Sequence, residues 1–369
     1  MNRPFSIYLD LVRFIAAVLV YLYHSNQRFL IEQILPASNF GHSAVIVFFV
    51  LSGFVIAFVT TTKETTLSAY SASRISRVFS VAIPAVVLTI MLDSIGRELY
   101  REIYEGYPYD QFMARTGGSL LLINEIWLIS ITSFSNVPYW SICYEFWYYV
   151  AFGMVMFLPR RLGLLVAAVT MLIVGPKIIL LAPIWWLGVL LYHWRAPREM
   201  SPVASWSMVL VSIVGIVLYH AWGISEIVSE WLKSIIGVDL HRSLTFSKFF
   251  VADYLLGILV FMNFAGMRNV AAAHGSVLMV VEKPVRFVAN YTFTLYLLHQ
   301  PLFLFWGSVV QGDPKTPWFW VTVTALMATS VGLVGHFTEN RRQDLRQWLI
   351  RLFSRPMPVT TAAGASRND

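Results

Sequence analysis

Cysteine is nearly absent from this sequence, since Cys143 is the only one in 369 residues. A lone cysteine excludes a disulfide within the chain and a metal cluster held by several thiolates. Cys143 lies in an apolar and aromatic run, where a cysteine more often packs as a small hydrophobic side chain than acts as a nucleophile.

Charged residues are also scarce, at 13% of the chain, whereas 57% of the residues are hydrophobic. This balance excludes an ordinary soluble protein and predicts an all-α fold, a polytopic membrane helix bundle. The formal net charge of +7 does not indicate a nucleic-acid partner, because the basic residues are spread through short connections. In such connections they set the topology and contact anionic membrane lipids.

Several motifs of soluble enzymes are missing. The chain has no His-Glu-x-x-His, no cluster of carboxylates, no Walker loop and no dinucleotide fingerprint. We therefore expect no metal site and no bound cofactor. Ser52 has no Gly-x-Ser-x-Gly elbow around it, which makes it a weak candidate nucleophile.

Apolar runs of span length predict about ten transmembrane helices. A shorter run, Ser119 to Ser133, has room for half a crossing and predicts a re-entrant or interfacial segment. The distribution of Lys and Arg predicts that both termini are cytoplasmic. Residues 1–345 then form the membrane domain, and residues 346–369 form a basic, disordered tail. The predicted crossings are residues 5–24, 43–62, 75–95, 138–158, 162–181, 183–194, 203–222, 246–265, 287–310 and 318–338.

The first predicted helix carries Asp10, Arg13 and His24. Ionisable residues inside a membrane helix are unfavourable toward lipid and indicate a functional site. Arg13 and His24 are eleven residues apart, so they share nearly the same helix face about 16 Å apart along the axis. We expect this face to line a polar cavity. The simpler alternative is that Asp10 and Arg13 neutralise each other while His24 lies at the membrane interface.

Arg74 and Arg77 lie three residues apart at the start of the third predicted crossing, so both project from one helix face. Two guanidinium groups beside a helix N-terminus suit a phosphate group, because the helix dipole and bidentate hydrogen bonds both favour an anion. Ordinary positive-inside anchoring is the alternative, and the spacing alone favours that alternative.

Two later crossings also contain polar side chains. Glu145 lies among aromatic residues and needs a cation or a histidine as its partner, for which Arg13 and His24 are the candidates. A structural Glu–Arg pair is the alternative. His299 is either a second cavity group or a hydrogen-bonding residue between helices.

The second predicted crossing contains Ser52 and Gly53 in succession. The missing side chain of Gly53 predicts that another helix approaches closely at this point, while the Ser52 hydroxyl can bond a backbone carbonyl. Both residues are therefore expected to support the cavity.

In order and spacing, these segments resemble the acyltransferase-3 family of membrane enzymes that O-acylate sugars. Two departures from the family pattern are Ile142–Cys143, where Leu and Ser are usual, and Asn340, which follows Glu339 where many relatives have a basic residue and Pro. The matching segments are Tyr8-Leu9-Asp10 leading to Arg13 and His24, Phe48-Phe49-Val50-Leu51-Ser52-Gly53-Phe54, Arg74-Ile75-Ser76-Arg77, Trp140-Ser141-Ile142-Cys143-Tyr144-Glu145 and Tyr296-Leu297-Leu298-His299-Gln300-Pro301.

The resemblance implies transfer of an acyl group, usually acetyl, from acyl-CoA to a sugar hydroxyl in the bacterial inner membrane. The implied partners are acyl-CoA (acetyl-CoA), membrane lipids and a carbohydrate acceptor. That acceptor is an envelope polysaccharide, a lipid-linked glycan or a glycosylated metabolite.

The resemblance also assigns roles to residues. It places Arg13 and His24 in the reactive centre and Arg74 and Arg77 in the acyl-CoA site. We expect a neutral His24 to act as general base, with Arg13 stabilising oxyanion charge and Glu145 orienting the imidazole or bonding the sugar. The expected cavity or supporting residues are Asp10, Ser52, Gly53, Trp140 and His299.

One geometric question stays open at this point. His24 lies at the outer end of its helix, whereas acyl-CoA arrives from the cytoplasm. Three arrangements would answer it. The pantetheine arm of acyl-CoA could extend through the cavity, or an acyl-protein intermediate could carry the acyl group outward. Alternatively, donor and acceptor could meet in a cavity that opens to the cytoplasm.

A secondary transporter is the competing function, since intramembrane Asp, Arg, His and Glu also build substrate paths. The chain has no repeated halves and no matched pair of Gly/Pro-broken helices, which disfavours a transporter. An inactive relative acting as a scaffold is disfavoured because all the motifs keep their polar groups. Dependence on acyl-CoA distinguishes the enzyme from the transporter.

Overall fold

The computed structural model describes residues 1–30 and 38–353, and within these ranges the chain is helical and has no β-strand. The helices are, in chain order, α1 (Arg3–Asn26), α2 (Gly41–Thr62), α3 (Leu67–Leu99), α4 (Phe112–Leu120), α5 (Trp140–Phe157), α6 (Arg160–Val174), α7 (Pro176–His193), α8 (Pro202–Ala221), α9 (Ile224–Ile236), α10 (Val238–Ser243), α11 (Phe250–Ala273), α12 (Ser276–Val280), α13 (Glu282–Ala289), α14 (Thr292–Val310), α15 (Pro317–Phe337) and α16 (Arg342–Phe353).

The helix starts follow from local sequence. The side chains of Thr66, Ser201 and Thr316 accept hydrogen bonds from backbone N–H groups in the first turns of α3, α8 and α15. Such caps satisfy donors that have no partner inside the helix. Proline occupies the first turn of α7 and α8, where its missing N–H costs nothing.

Eight helical stretches within the described residues are long and apolar enough to cross a membrane, which confirms the polytopic helix bundle. They are Arg3–Asn26, Gly41–Thr62, Leu67–Leu99, Pro176–His193, Pro202–Ala221, Thr245–Ala273, Thr292–Val310 and Pro317–Phe353.

Two of the ten predicted crossings fall outside this set. Helix α5 has 18 residues, but Glu145 and several Tyr and Trp residues reduce its hydropathy. Helix α6 has only 15 residues, because Gly175 breaks the chain with a φ of 92°. The predicted boundaries 162–181 and 183–194 are therefore wrong, since the break lies at Gly175.

The half-crossing segment begins in α4 and continues as irregular backbone through residues 121–136. Leu122, Trp127 and Phe134 have positive φ values of 54°, 51° and 53°. The fully buried carboxylate of Glu125 pairs with the fully buried ammonium of Lys177 in α7 at 2.5 Å. The charge pair thus fixes the segment to α7. Residues 127–130 are nevertheless exposed.

The predicted tail, residues 346–369, begins inside α16, which runs to Phe353 and packs against α3. Residues 354–369 lie outside the described residues.

Helices α2 and α7 pack closely through glycine. A Cβ atom added to Gly53 would lie 2.0 Å from the Trp185 carbonyl oxygen, and one added to Gly188 would lie 2.0 Å from the Val50 carbonyl oxygen. The two glycines therefore let the backbones approach each other, as the sequence context of Gly53 predicts.

Candidate active site

A deep cavity of about 410 Å³ lies between α1, α2, α3, α5, α13 and α14, with the α15–α16 junction at one end. Along α2 it extends from Ile56 to Val45, which corresponds to about 16 Å of helix. It is lined by Asp10, Arg13, Val45, Phe48, Phe49, Leu51, Ser52, Val55, Ile56, Arg74, Arg77, Ser141, Ile142, Glu145, Tyr149, Arg286, Ala289, Asn290, Thr292, Phe293, Tyr296, Glu339, Asn340, Arg342 and Gln343.

One end of the cavity opens at the face of the bundle that carries the N-terminus. Helices α1, α3 and α14 begin at this face and α2 ends there, and the lining residues Asn290 and Asn340 are exposed. The closed end lies deeper in the bundle, beside the first turns of α2 and α5.

Arginine dominates the charge of the lining. Five arginines and three carboxylates face the cavity: Arg13, Arg74, Arg77, Arg286, Arg342, Asp10, Glu145 and Glu339. The predicted residues Asp10, Arg13, Ser52, Arg74, Arg77 and Glu145 are thus brought together in one place.

Two of the arginines are paired closely with carboxylates. Arg74 is buried and binds both carboxylate oxygens of Glu64, at 2.8 and 2.9 Å. Arg286 binds Asp10, which leaves the Arg13–Asp10 contact at 3.4 Å. Asp10 is therefore shared between Arg13 and Arg286 and does not simply neutralise Arg13.

Glu145 does not pair with Arg13 or His24. Its Oε1 atom accepts a hydrogen bond from the Ser52 hydroxyl at 2.5 Å and another from the Tyr149 hydroxyl. The same Ser52 oxygen accepts a bond from the Trp185 indole at 3.2 Å. The carboxylate is thus fixed by hydroxyl groups of α2 and α5, and the expected ion pair is absent from the described residues.

Glu339 is the third carboxylate of the lining, and it holds the start of α14. Its Oε2 atom accepts bonds from the backbone N–H and the hydroxyl of Thr294, both at 3.0 Å. Glu339 also interacts electrostatically with Arg77 and Arg342. It fixes α14 against the α15–α16 junction. We call the part of the cavity lined by Arg13, Arg74, Arg77, Arg286 and Arg342 the arginine-rich end.

Tyr296 forms part of the closed end of the cavity. Its hydroxyl hydrogen-bonds Ser141 at 2.6 Å, and its ring packs edge-on against Phe48 at 5.2 Å. The ring centroids of Tyr296 and His299 are 6.4 Å apart. Tyr296 therefore lies next to both the cavity and the histidine pair.

His24 and His299 lie beside each other outside the cavity lining, with ring centroids 5.4 Å apart. His299 is fully buried, and its Nδ1–H donates to the Leu295 carbonyl at 3.0 Å. That bond leaves Nε2 as an acceptor, and Nε2 has no hydrogen-bond partner among the described residues.

Trp140 lies behind the cavity lining, where it is buried and stacks on Phe246 at a centroid distance of 4.5 Å. Gly53 lies at the α2–α7 contact described above. Both residues support neighbouring helices and do not face the cavity. In the described part of the chain, no group of three or more His, Cys, Asp or Glu residues is arranged to hold a metal ion.

Several lining residues were not among the predicted site residues, including Tyr149, Arg286, Tyr296, Glu339 and Arg342. Tyr149 follows Glu145 by four positions, so helical spacing could have found it. Glu339 and Arg342 come from the far end of the chain, and no local pattern connects them with Arg13 or Arg77.

The helix bundle and its cavity define an integral membrane protein with an arginine-lined cavity between its helices. A family model described as an acyltransferase domain matches residues 6–336. The chain therefore belongs to the acyltransferase-3 family and is a membrane acyltransferase. No curated protein and no solved structure matches the chain.

Proposed function

We propose that the protein transfers an acyl group, acetyl in the first instance, from acyl-CoA to a hydroxyl of a sugar. The acceptor is an envelope polysaccharide, a lipid-linked glycan or a glycosylated metabolite. The observation that carries this proposal is one deep cavity with arginines at its open end and Tyr296 at its closed end, beside the His24–His299 pair.

The cavity suits a long donor with a charged head and an uncharged arm. Guanidinium groups bind phosphate oxygens strongly, and the open end supplies five of them. The middle of the cavity is lined by apolar side chains of α2, including Phe49, Leu51 and Val55. The pantetheine arm would lie along these residues and bring the thioester toward Tyr296.

The position of the cavity also supports the proposed topology. Its open end lies at the face that carries the N-terminus, and acyl-CoA is a cytoplasmic metabolite. We therefore propose that this face is cytoplasmic and that the chain resides in a bacterial inner membrane. The histidines then lie toward the outer side, where an envelope sugar can reach them.

The chemical step requires a group that accepts a proton from the acceptor hydroxyl. In the proposed reaction the hydroxyl oxygen attacks the thioester carbonyl, its proton passes to His24, and the C–S bond breaks. The proton then passes to the departing CoA thiolate, which leaves CoA and a sugar ester. General-base catalysis of this kind contributes about 10²–10⁴-fold to the rate.

The residues around this reaction have different proposed tasks. Arg77 and Arg13 bind donor phosphates at the open end, and Glu145, held by Ser52 and Tyr149, shapes the middle of the cavity. Arg13 lies eleven residues before His24 on α1. A direct part for Arg13 at the thioester requires the arm to fold back, so we assign Arg13 to the donor.

Inverted membrane vesicles supplied with acetyl-labelled acetyl-CoA test the proposal. We expect label in a lipid or polysaccharide fraction with wild type and none with His24→Ala, while both proteins show the same thermal unfolding in detergent. Wild-type vesicles that leave acetyl-CoA unconsumed in the presence of envelope glycans would contradict the proposed donor. Equal labelling by His24→Ala would exclude His24 as the base.

A further inference from the structure

The arginines of the cavity differ in how far their charge is neutralised. Arg74 is bound through one nitrogen to both oxygens of Glu64, and Arg286 is bound to Asp10. Among the described residues, no ion pair joins Arg77 or Arg342 to a carboxylate, and Arg13 has only the 3.4 Å contact to the shared Asp10. Within the part of the chain that the structure describes, three guanidinium groups therefore face the cavity without an ion pair shorter than 3.4 Å.

The two remaining carboxylates of the lining offset this charge only in part, because Glu339 interacts electrostatically with Arg77 and Arg342 but forms an ion pair with neither of them. Glu145 accepts bonds from two hydroxyl groups, and Glu339 accepts two bonds from Thr294. Arg13, Arg77 and Arg342 meanwhile repel one another, since each interacts electrostatically with the other two. Like charges in a partly dry cavity are unfavourable, and an anion placed among them relieves that repulsion.

Arg342 is the unexpected member of this group. It is the first residue of α16, and it lies beyond residues 6–336, which the family model matches. Helix α16 packs against α3, the helix that carries Arg77. Arg342 therefore reaches the cavity lining from a helix that lies outside the matched region.

We propose that Arg342, together with Arg13 and Arg77, binds a phosphate group of the acyl-CoA donor, so that α16 completes the donor site. The inference rests on the proposed function. The ligand chemistry is a phosphate ester or a pyrophosphate, and CoA carries both. Arg74 is, in contrast, a structural residue whose charge is neutralised by its ion pair with Glu64.

The test is equilibrium binding of CoA, dephospho-CoA and pantetheine to the purified full chain in detergent micelles. The variants are Arg342→Gln and, as a matched control, Arg341→Gln. Arg341 is the neighbouring residue, its side chain is 66% exposed, and it pairs with Asp344 at 3.7 Å outside the cavity lining. Both variants remove one positive charge from the same turn of the chain.

We expect Arg342→Gln to weaken CoA binding about tenfold or more, because a charge-assisted hydrogen bond to phosphate is lost. Arg341→Gln should bind CoA as wild type does, and all three proteins should bind pantetheine equally. A loss that disappears with dephospho-CoA assigns Arg342 to the 3′-phosphate. A loss that persists with dephospho-CoA assigns it to the pyrophosphate.

Equal CoA affinity in Arg342→Gln and Arg341→Gln, with Arg77→Gln impaired, would overturn the role of Arg342 and leave the proposed donor intact. Wild-type protein that binds CoA no more tightly than pantetheine would instead overturn the phosphate site and the proposed donor together. Thermal unfolding reports whether each variant is folded. If Arg342→Gln unfolds, Arg342→Lys is the substitute, because it keeps the charge without the planar guanidinium group and should lose less CoA affinity. Wild-type CoA affinity in both Arg342→Lys and a folded Arg342→Met would overturn the proposed role of Arg342 in phosphate binding.

Discussion

The arginine-rich end of the cavity and the His24–His299 pair are both polar regions inside one membrane bundle, yet they are built in opposite ways. In the arginine-lined cavity the carboxylates have fixed partners, as Glu145 has in Ser52 and Tyr149. At the histidine pair, the rings of Tyr21, Tyr296 and Phe303 surround His299, and one nitrogen has no partner.

The difference agrees with the proposed division between donor binding at the arginines and chemistry at the histidines. A site for an anion needs several cations held in place before the ligand arrives. A site for proton transfer needs a nitrogen that is still able to accept a hydrogen bond. Variants at the two ends should therefore change different kinetic constants.

The largest effect is expected for His24→Ala. Loss of the proposed base should reduce kcat by about 10²–10⁴-fold, because the acceptor hydroxyl would have no group to take its proton. CoA binding should remain at the wild-type level, since His24 lies outside the cavity lining. A parallel loss of CoA affinity in a folded His24→Ala protein would contradict the separation.

Arg74→Ala should lower the free energy of unfolding. It leaves the buried Glu64 carboxylate without its cation, and breaking such a pair costs about 3–5 kcal/mol. Thermal unfolding in detergent measures the loss. The double variant Arg74→Ala, Glu64→Gln should recover part of it, and an unchanged unfolding temperature in Arg74→Ala would show that the pair is not structural.

Arg77→Gln should raise the KM for acyl-CoA about tenfold with little change in kcat. The reason is that a contact to a phosphate group stabilises the bound donor and the transition state equally. Arg161→Gln is the control, since Arg161 is an exposed residue at the start of α6 and does not line the cavity. A fall in kcat at unchanged KM would place Arg77 in the chemical step.

His299→Ala should lower kcat by about tenfold and leave the KM for acyl-CoA unchanged, because the unpartnered Nε2 beside His24 is removed. Added imidazole should restore part of the rate by entering the space left by the ring. His299→Gln retains an acceptor atom and should lose less. Wild-type kcat in His299→Ala would make His299 a packing residue.

The smallest effect is expected from salt. Raising the ionic strength from low to physiological values should increase the KM for acyl-CoA by about threefold, because the open end of the cavity is reached by ions that screen its charge. The value of kcat should not respond, since His299 is fully buried and His24 is partly buried. A salt-dependent kcat would show that the two ends are not electrically separate.

Much of the arginine-rich end follows from the sequence. Asp10 and Arg13 share a face of α1, and Arg74 and Arg77 share a face of α3, because helical spacing is readable from residue numbers. The fold class can also be predicted from the sequence, since a membrane is crossed only by α-helices or by closed β-barrels and the long apolar runs fit helices.

The errors come from distant contacts. Sequence spacing suggested Arg13 or His24 as the partner of Glu145, but it could not show that α2 brings Ser52 closer. The break at Gly175 was hidden inside a continuous apolar run, and the approach of Arg342 depends on how α16 packs. The sequence also could not show that Arg74 forms an ion pair with Glu64 whereas Arg77 forms none among the described residues.

The buried pair of Glu125 and Lys177 has a consequence for how the protein is made. Lys177 is the second residue of α7, and its ammonium is fully buried. An isolated lysine opposes entry of a helix into lipid. Glu125 lies 52 residues earlier in the chain. Ribosomal synthesis therefore supplies the counter-charge before the helix that needs it, so a Glu125→Gln chain should be recognised by membrane quality control as an insertion defect.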